Sequence, residues 1–226
     1  MDISPILISL KTATFAIIIT FFLGIWIAKL VISMKNEKLK IIIDSILTLP
    51  MVLPPTVAGF FLLLIFGVKR PIGMFFLNYF STKITFSWGA TVLAAVVISF
   101  PLMYRSARGA FEQVDNEYIN AARTLGMPET IIFWKVLMPL ALPGIASGGV
   151  LSFARGLGEF GATAMIAGNI AGKTRTLPLA IYSNVASGRM EEAYNYVIIL
   201  VVISFFIIGL MNLFTIWGEK YKGEGR

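Results

Sequence analysis

The sequence predicts an all-α, polytopic membrane protein with about five transmembrane helices, and three observations carry that prediction. First, 57% of the 226 residues are hydrophobic and 14% are charged, where a soluble domain carries about 25% charged residues. Second, the apolar residues gather into long runs at 12–28, 45–68, 84–104, 140–171 and 196–217. Crossing a bilayer takes roughly 20 such residues. The first run reaches that length once the apolar 6–10 segment or the stem of Lys29 is counted. Third, the charges lie between the runs, with Arg155 and Glu159 the exceptions. The mean hydropathy of +0.83 follows from this pattern.

The same composition excludes several function classes. Without cysteine there is no disulfide or thiolate metal site, and without histidine the usual general base and metal ligand are missing. We therefore assign no catalytic residue and no metal site. No Gly-x-x-x-x-Gly-Lys-Ser/Thr sequence occurs, so the chain is not expected to hydrolyse ATP. A signal peptide would need a basic start and a small-residue cleavage site. Asp2 comes first instead and Lys11 is the lone cation before the run, so the first helix is read as retained.

Cations set the expected orientation. With five spans, Lys29, Lys35, Lys38, Lys40, Arg105, Arg108, Arg123, Lys135, Lys220, Lys222 and Arg226 share one side. Lys11, Lys69, Arg70, Lys83, Lys173, Arg175 and Arg189 share the other. The richer side is expected to be cytoplasmic, with the N-terminus outside and the C-terminus inside. The net charge of +7 then reflects topology and calls for no nucleic-acid partner.

In chain order, the first span is rich in Ile and Phe all round, as a lipid-facing helix is. The second carries Pro50, Pro54 and Pro55, with Thr56 beside them and Gly59 beyond. A proline inside a helix removes a hydrogen bond, and the freed carbonyls need protein or a wet cavity around them. Either this is a simple kink, or Pro54, Pro55 and Thr56 line a translocation path. The aromatic loop around Phe75, Phe76, Tyr79 and Phe80 is expected at the outer interface, and the third span is uncharged. In the fourth, Gly144, Gly148, Ser152 and Gly156 recur every four residues as a small-residue stripe for helix contact. Arg155 and Glu159 stand four apart and can pair on one helix face, either as a structural lock or beside a passing anion; Ser152 joins them as a candidate path residue. A short amphipathic stretch around 179–185 is expected outside, before the last span.

Between the third and fourth spans, the polar stretch 115–139 stands apart. Asp115 or Asn116 can cap a helix whose face repeats at Tyr118, Ala121, Ala122 and Leu125. Gly126 supplies a stop, and Pro128 can open a second short helix with Glu129 near its start and Lys135 near its end. By periodicity alone this is either an ordinary loop with two amphipathic helices or a docking element. Its spacing, Asn120-Ala121-Ala122, three residues, Gly126, nine residues, then Val136-Leu137-Met138-Pro139, resembles the Glu-Ala-Ala…Gly…Ile-x-Leu-Pro signature of ABC importer permeases. Asn120 stands where that signature has Glu. The stretches 156–182 (GLGEFGATAMIAGNIAGKTRTLPLAIY) and LPMVLPPTVAGF, from Leu49, resemble molybdate/tungstate permeases. Sulfate permeases share the Gly-Glu-Phe-Gly core and less of the sequence after it.

The resemblance implies a type I importer permease fold over a single domain, 1–226, in the cell membrane. It implies a homodimer in the lipid bilayer with two ATP-binding cassette subunits and an extracytoplasmic substrate-binding protein. No cofactor is expected on this chain, ATP and magnesium belonging to the partner ATPase. Asn120, Ala121, Ala122, Arg123, Leu125, Gly126 and Pro139 then become the candidate ATPase-coupling residues. A sulfate or other oxyanion permease is the alternative. A secondary transporter would show more embedded titratable groups and a repeat of spans; an intramembrane enzyme would need a catalytic constellation that Glu159 alone does not make.

Overall fold

The computed structural model describes residues 2–223, with side chains described through Leu210 and at Leu213. Arg226 lies outside the described residues, and so do the side chains of Lys220 and Lys222. Among the described residues every regular element is helical. In order these are α1 (Ser4–Ile32), α2 (Glu37–Val52), α3 (Pro55–Phe66), α4 (Pro71–Phe80), α5 (Trp88–Glu112), α6 (Asn116–Thr124), α7 (Glu129–Ile132), α8 (Met138–Leu157), α9 (Gly161–Ile166), α10 (Leu177–Ala186) and α11 (Met190–Gly223). A π-helical turn, Phe133–Leu137, joins α7 to α8. Local chemistry sets several starts: the Asn36 side chain accepts from the Lys38 and Leu39 amides at α2, and Ser87 accepts from Ala90 at α5.

Among the described residues four helical stretches are long and apolar enough to cross a membrane, and α2 with α3 makes a fifth crossing if the bent pair is one span. That pair bends by 113° between Val52 and Pro55. The second run is therefore a broken helix. Leu53 ends α2 in an extended conformation, and α3 restarts at Pro55, where a missing amide hydrogen costs nothing.

The core forms where α1, α5 and α8 meet. Ile25, Ala28, Val31, Met103, Tyr104, Ala107, Phe111, Phe133, Ala141 and Ile145 pack into one cluster. The first span is thus not lipid-facing all round. Ser9, Ala13, Ala16, Thr20, Gly24 and Ala28 make a buried small-residue strip that the larger Ile and Phe residues obscured. In hydrocarbon, helices associate by close packing rather than by the hydrophobic effect, so small residues decide the contact. The stripe on α8 works the same way. A Cβ added at Gly148 would collide with Ser106 Cβ, and one at Gly144 would lie 2.9 Å from Ala110 Cβ.

A second cluster joins α3, α5 and α9 through Ala58, Leu62, Ala94, Ile98, Ala162 and Ile166. The fourth run does not continue to residue 171 as one helix. It stops at Leu157, turns through Gly158, Glu159 and Phe160, and resumes as the six-residue α9. The helix opened by Pro128, in contrast, does not end near Lys135 but runs through the π turn into α8. Pro139, just inside α8, has no amide hydrogen to offer the preceding turn. Upstream of it, the Met138 amide reaches back five residues to Phe133 O. The amphipathic stretch expected near 179–185 is α10, with Pro178 in its first turn.

Candidate functional site

Two regions gather the candidate residues. In the loop 115–139, the Asp115 side chain accepts from the Glu117 amide at 2.9 Å and starts α6. Leu125 closes α6, and Gly126, at φ +73°, turns the chain in the left-handed region that only glycine adopts freely. The turn is braced from within. Arg123 Nε and Nη2 donate to the two Glu129 oxygens at 2.6 and 3.2 Å, and Arg123 Nη1 donates to Asn120 Oδ1 at 3.3 Å. That hydrogen bonding holds the Glu129 carboxyl below its ordinary range and raises the Arg123 guanidinium. Arg123 is neutralised by its own loop.

The anticipated face of α6 divides. Ala122 is turned into the protein, 5% exposed, whereas Ala121 is exposed with Tyr118 and Leu125, the last at 80%. The outward surface is therefore Tyr118, Ala121 and Leu125, with Asn120 beside them; Pro139 is exposed farther along, at the start of α8. Within the same stretch, Phe133 is clamped between Phe111 at a centroid distance of 5.6 Å and the Lys29 ammonium 3.9 Å over its ring.

The second region is where two broken helices abut. A Cβ added at Gly59 would lie 2.6 Å from Ala162 Cα, and one at Gly161 would lie 3.0 Å from both Pro55 Cβ and Thr56 N. Pro55 and Thr56 are thereby brought against the start of α9, with Pro54 preceding them and Pro54 and Thr56 still exposed. Glu159 sits in the second break, 2% exposed, and it is not on the helix that bears Arg155. Its Oε2 accepts from Arg155 Nη1 at 3.0 Å, and its Oε1 accepts from the Ala162 amide at 2.7 Å. One carboxylate thus neutralises the last-turn arginine of α8 and satisfies a free amide in the first turn of α9. The Arg155 side chain keeps 34% exposure, so the pair is open on its cationic side and closed on its anionic side. Ser152 is buried, its hydroxyl without a hydrogen-bond partner and away from any open surface.

A third cluster escaped sequence reading. Tyr104 Oη donates to Asp44 Oδ1 at 2.8 Å, Arg108 bridges Asp44 to Glu112, and Lys40 stands 3.9 Å from Glu112. This network ties α2, none of whose residues is buried, to α5. Asp44 lies one residue outside the second apolar run, and its partner Arg108 is 64 positions away. The local signals were the i, i+4 spacings of opposite charge, Arg108 with Glu112 and Lys40 with Asp44, neither of which points across to the other helix.

Comparisons with known proteins show what the chain is similar to. Residues 20–217 match the family described as binding-protein-dependent transport system inner membrane component. The chain is 41% identical over 219 residues to the molybdenum transport system permease protein ModB of Escherichia coli K12, covering 97% of this chain and 94% of that one. With ModB of Haemophilus influenzae the identity is 37% over 226 residues, covering 100% and 98%. Among solved structures, an inward-facing MetNI methionine ABC transporter superposes with a TM-score of 0.74 at 18% identity, covering 95% of this chain and 94% of that one. An amino acid ABC transporter gives 0.66 at 23%, covering 94% and 92%. The fold is that of type I ABC importer permeases, and the chain belongs to the family of binding-protein-dependent transport system inner membrane components.

Proposed function

We propose that this chain is the membrane-spanning permease of an ATP-binding-cassette importer for molybdate or tungstate. Its activity is transport, and ATP hydrolysis belongs to a partner subunit. The observation that carries the substrate class is the 41% identity, over 97% of the chain, to a molybdenum transport permease. Two copies of the chain would enclose the pathway, each resting its 115–139 loop on one ATPase subunit. The exposed Tyr118 and Leu125, with Ala121 between them, suit that role, because large apolar side chains left uncovered on a short polar helix are what a docking partner buries. A binding protein would deliver the oxyanion at the opposite end, where Lys173 and Arg175 lie. The cation bias supports placing the 115–139 end in the cytosol and the N-terminus outside.

The abutting breaks supply a site suited to passage. Helix breaks at membrane depth leave backbone groups that line protein or water rather than lipid. Arg155 offers positive charge toward the open side, while Glu159 cancels most of it. A dianion is therefore attracted weakly and released readily. The test is reconstitution with the ATPase subunit and binding protein in vesicles. Molybdate-loaded binding protein should stimulate ATP hydrolysis and molybdate uptake, and excess sulfate should compete poorly. Uptake without ATP would sink the reading, and equal uptake of sulfate would move the substrate.

A further inference from the structure

The short helix α4 has no part in the two regions described, yet its composition is distinctive. Only Gly73 of its ten residues is buried. It hangs from the end of α3 by a tight corner, since a Cβ at Gly73 would collide with Gly67 O. Its outward surface is aromatic: Phe75 lies 4.8 Å from Tyr79 and Phe76 lies 5.6 Å from Phe80, ring to ring, with Tyr79 75% exposed. Exposed Lys69 and Arg70 precede the helix and exposed Lys83 follows it. No acidic residue occurs anywhere between Asp44 and Glu112, so nothing nearby in sequence balances those cations.

We propose that α4 is an interfacial helix seated in the headgroup layer of the bilayer, where its flanking cations bind anionic phospholipid. At about 15 Å it is too short to span. Its apolar surface continues that of α3, whose Phe60, Phe61, Leu64 and Ile65 are also exposed. An amphiphilic aromatic helix bracketed by Lys and Arg fits the headgroup boundary, rings inward and cations on phosphate. Because α5 separates them, α4 lies at the end of the bundle opposite α6. The inference rests on the permease reading only for which leaflet this is. The seat would anchor the α2–α3 break from outside, since α4 is joined to α3 through a corner that leaves no slack.

The chain lacks cysteine, which makes site labelling direct. Nitroxide is placed at Tyr79→Cys and, separately, at Thr82→Cys in the complex with its partner subunits, with the unsubstituted complex as background. ATPase activity serves as the check on folding. Both are studied in phosphatidylcholine vesicles with and without phosphatidylglycerol. The expected result is a several-fold preference of the Tyr79 label for oxygen over a soluble nickel chelate, the reverse at Thr82, and deeper seating with phosphatidylglycerol. Lys69→Gln, Arg70→Gln and Lys83→Gln together should abolish the phosphatidylglycerol effect. Equal access of nickel to both labels would overturn the proposal, leaving α4 free for a soluble partner. Short-range dipolar broadening that places the two Tyr79 labels in mutual contact would overturn it in favour of a second copy of the chain. Depth indifferent to phosphatidylglycerol would overturn the anionic-lipid assignment. None of these outcomes depends on whether molybdate is carried.

Discussion

The 115–139 loop and the abutting helix breaks each hold one arginine–glutamate pair, and the two pairs do opposite things. Arg123 and Glu129 are both more than half exposed, so their attraction is screened and serves mainly to fix the turn at Gly126. Glu159 is almost fully enclosed, so its charge depends on Arg155 and on the Ala162 amide. The same chemistry braces a surface in one place and joins two helix ends in the other. Location decides which.

That contrast can be broken most sharply at the enclosed pair. Arg155→Gln leaves a buried carboxylate without its cation and is expected to cost about 3–5 kcal/mol of stability. Glu159→Gln leaves a guanidinium that is only partly enclosed, and should cost less, about 1–3 kcal/mol. The double substitution should recover much of the folded yield, and a double-mutant cycle on detergent-solubilised protein reads the coupling directly. Equal, additive losses would mean that the enclosure of Glu159 is not what sets the cost.

A smaller effect is expected where the breaks touch. Gly59→Val places methyl groups against Ala162 Cα and should separate α3 from α9, at about 1–3 kcal/mol for overpacking. Substrate-stimulated ATP hydrolysis should fall further than thermal stability does. Unchanged hydrolysis would detach this contact from transport.

At the exposed pair the expected effect is least. Glu129→Gln should leave thermal stability of the assembled complex unchanged within error. Its carboxyl titrates below the ordinary range because of Arg123, so the pair is intact above that range and is lost only as pH falls through the lowered value. A pH profile of ATPase association should therefore be flat across neutral pH. A step there, removed by Glu129→Gln, would contradict this.

How much was legible in the sequence also differs between the two regions. Loop chemistry is local: Asp115, Gly126 and Pro128 each act within a few residues, and their roles could be read in order. Three prolines likewise announced the break after Val52. The break at Gly158 was hidden, since glycine is common in membrane helices and Arg155 and Glu159 fit a continuous helix equally well. Ala121 and Ala122 could not be told apart, because a helix face has no preferred side until its support is known. What α6 packs against is α7 and the π turn just downstream, and which alanine faces them depends on how the chain turns at Gly126. The pairing of Asp44 with Arg108 was hidden because the two stand 64 positions apart.

The coupling role of α6 is tested most directly at Ala121 and its neighbour. ATPase subunit retention and molybdate-stimulated ATP hydrolysis should be measured for the wild-type complex, Ala121→Glu and Ala122→Glu, each with folded yield recorded. We expect Ala121→Glu to insert and fold as wild type while losing the ATPase subunit, because its side chain projects from the exposed face of α6. Ala122→Glu should instead lower the folded yield, because its side chain points into the protein. An Ala121→Glu complex that keeps its ATPase and transports at the wild-type rate would contradict the assignment of α6 as the coupling helix.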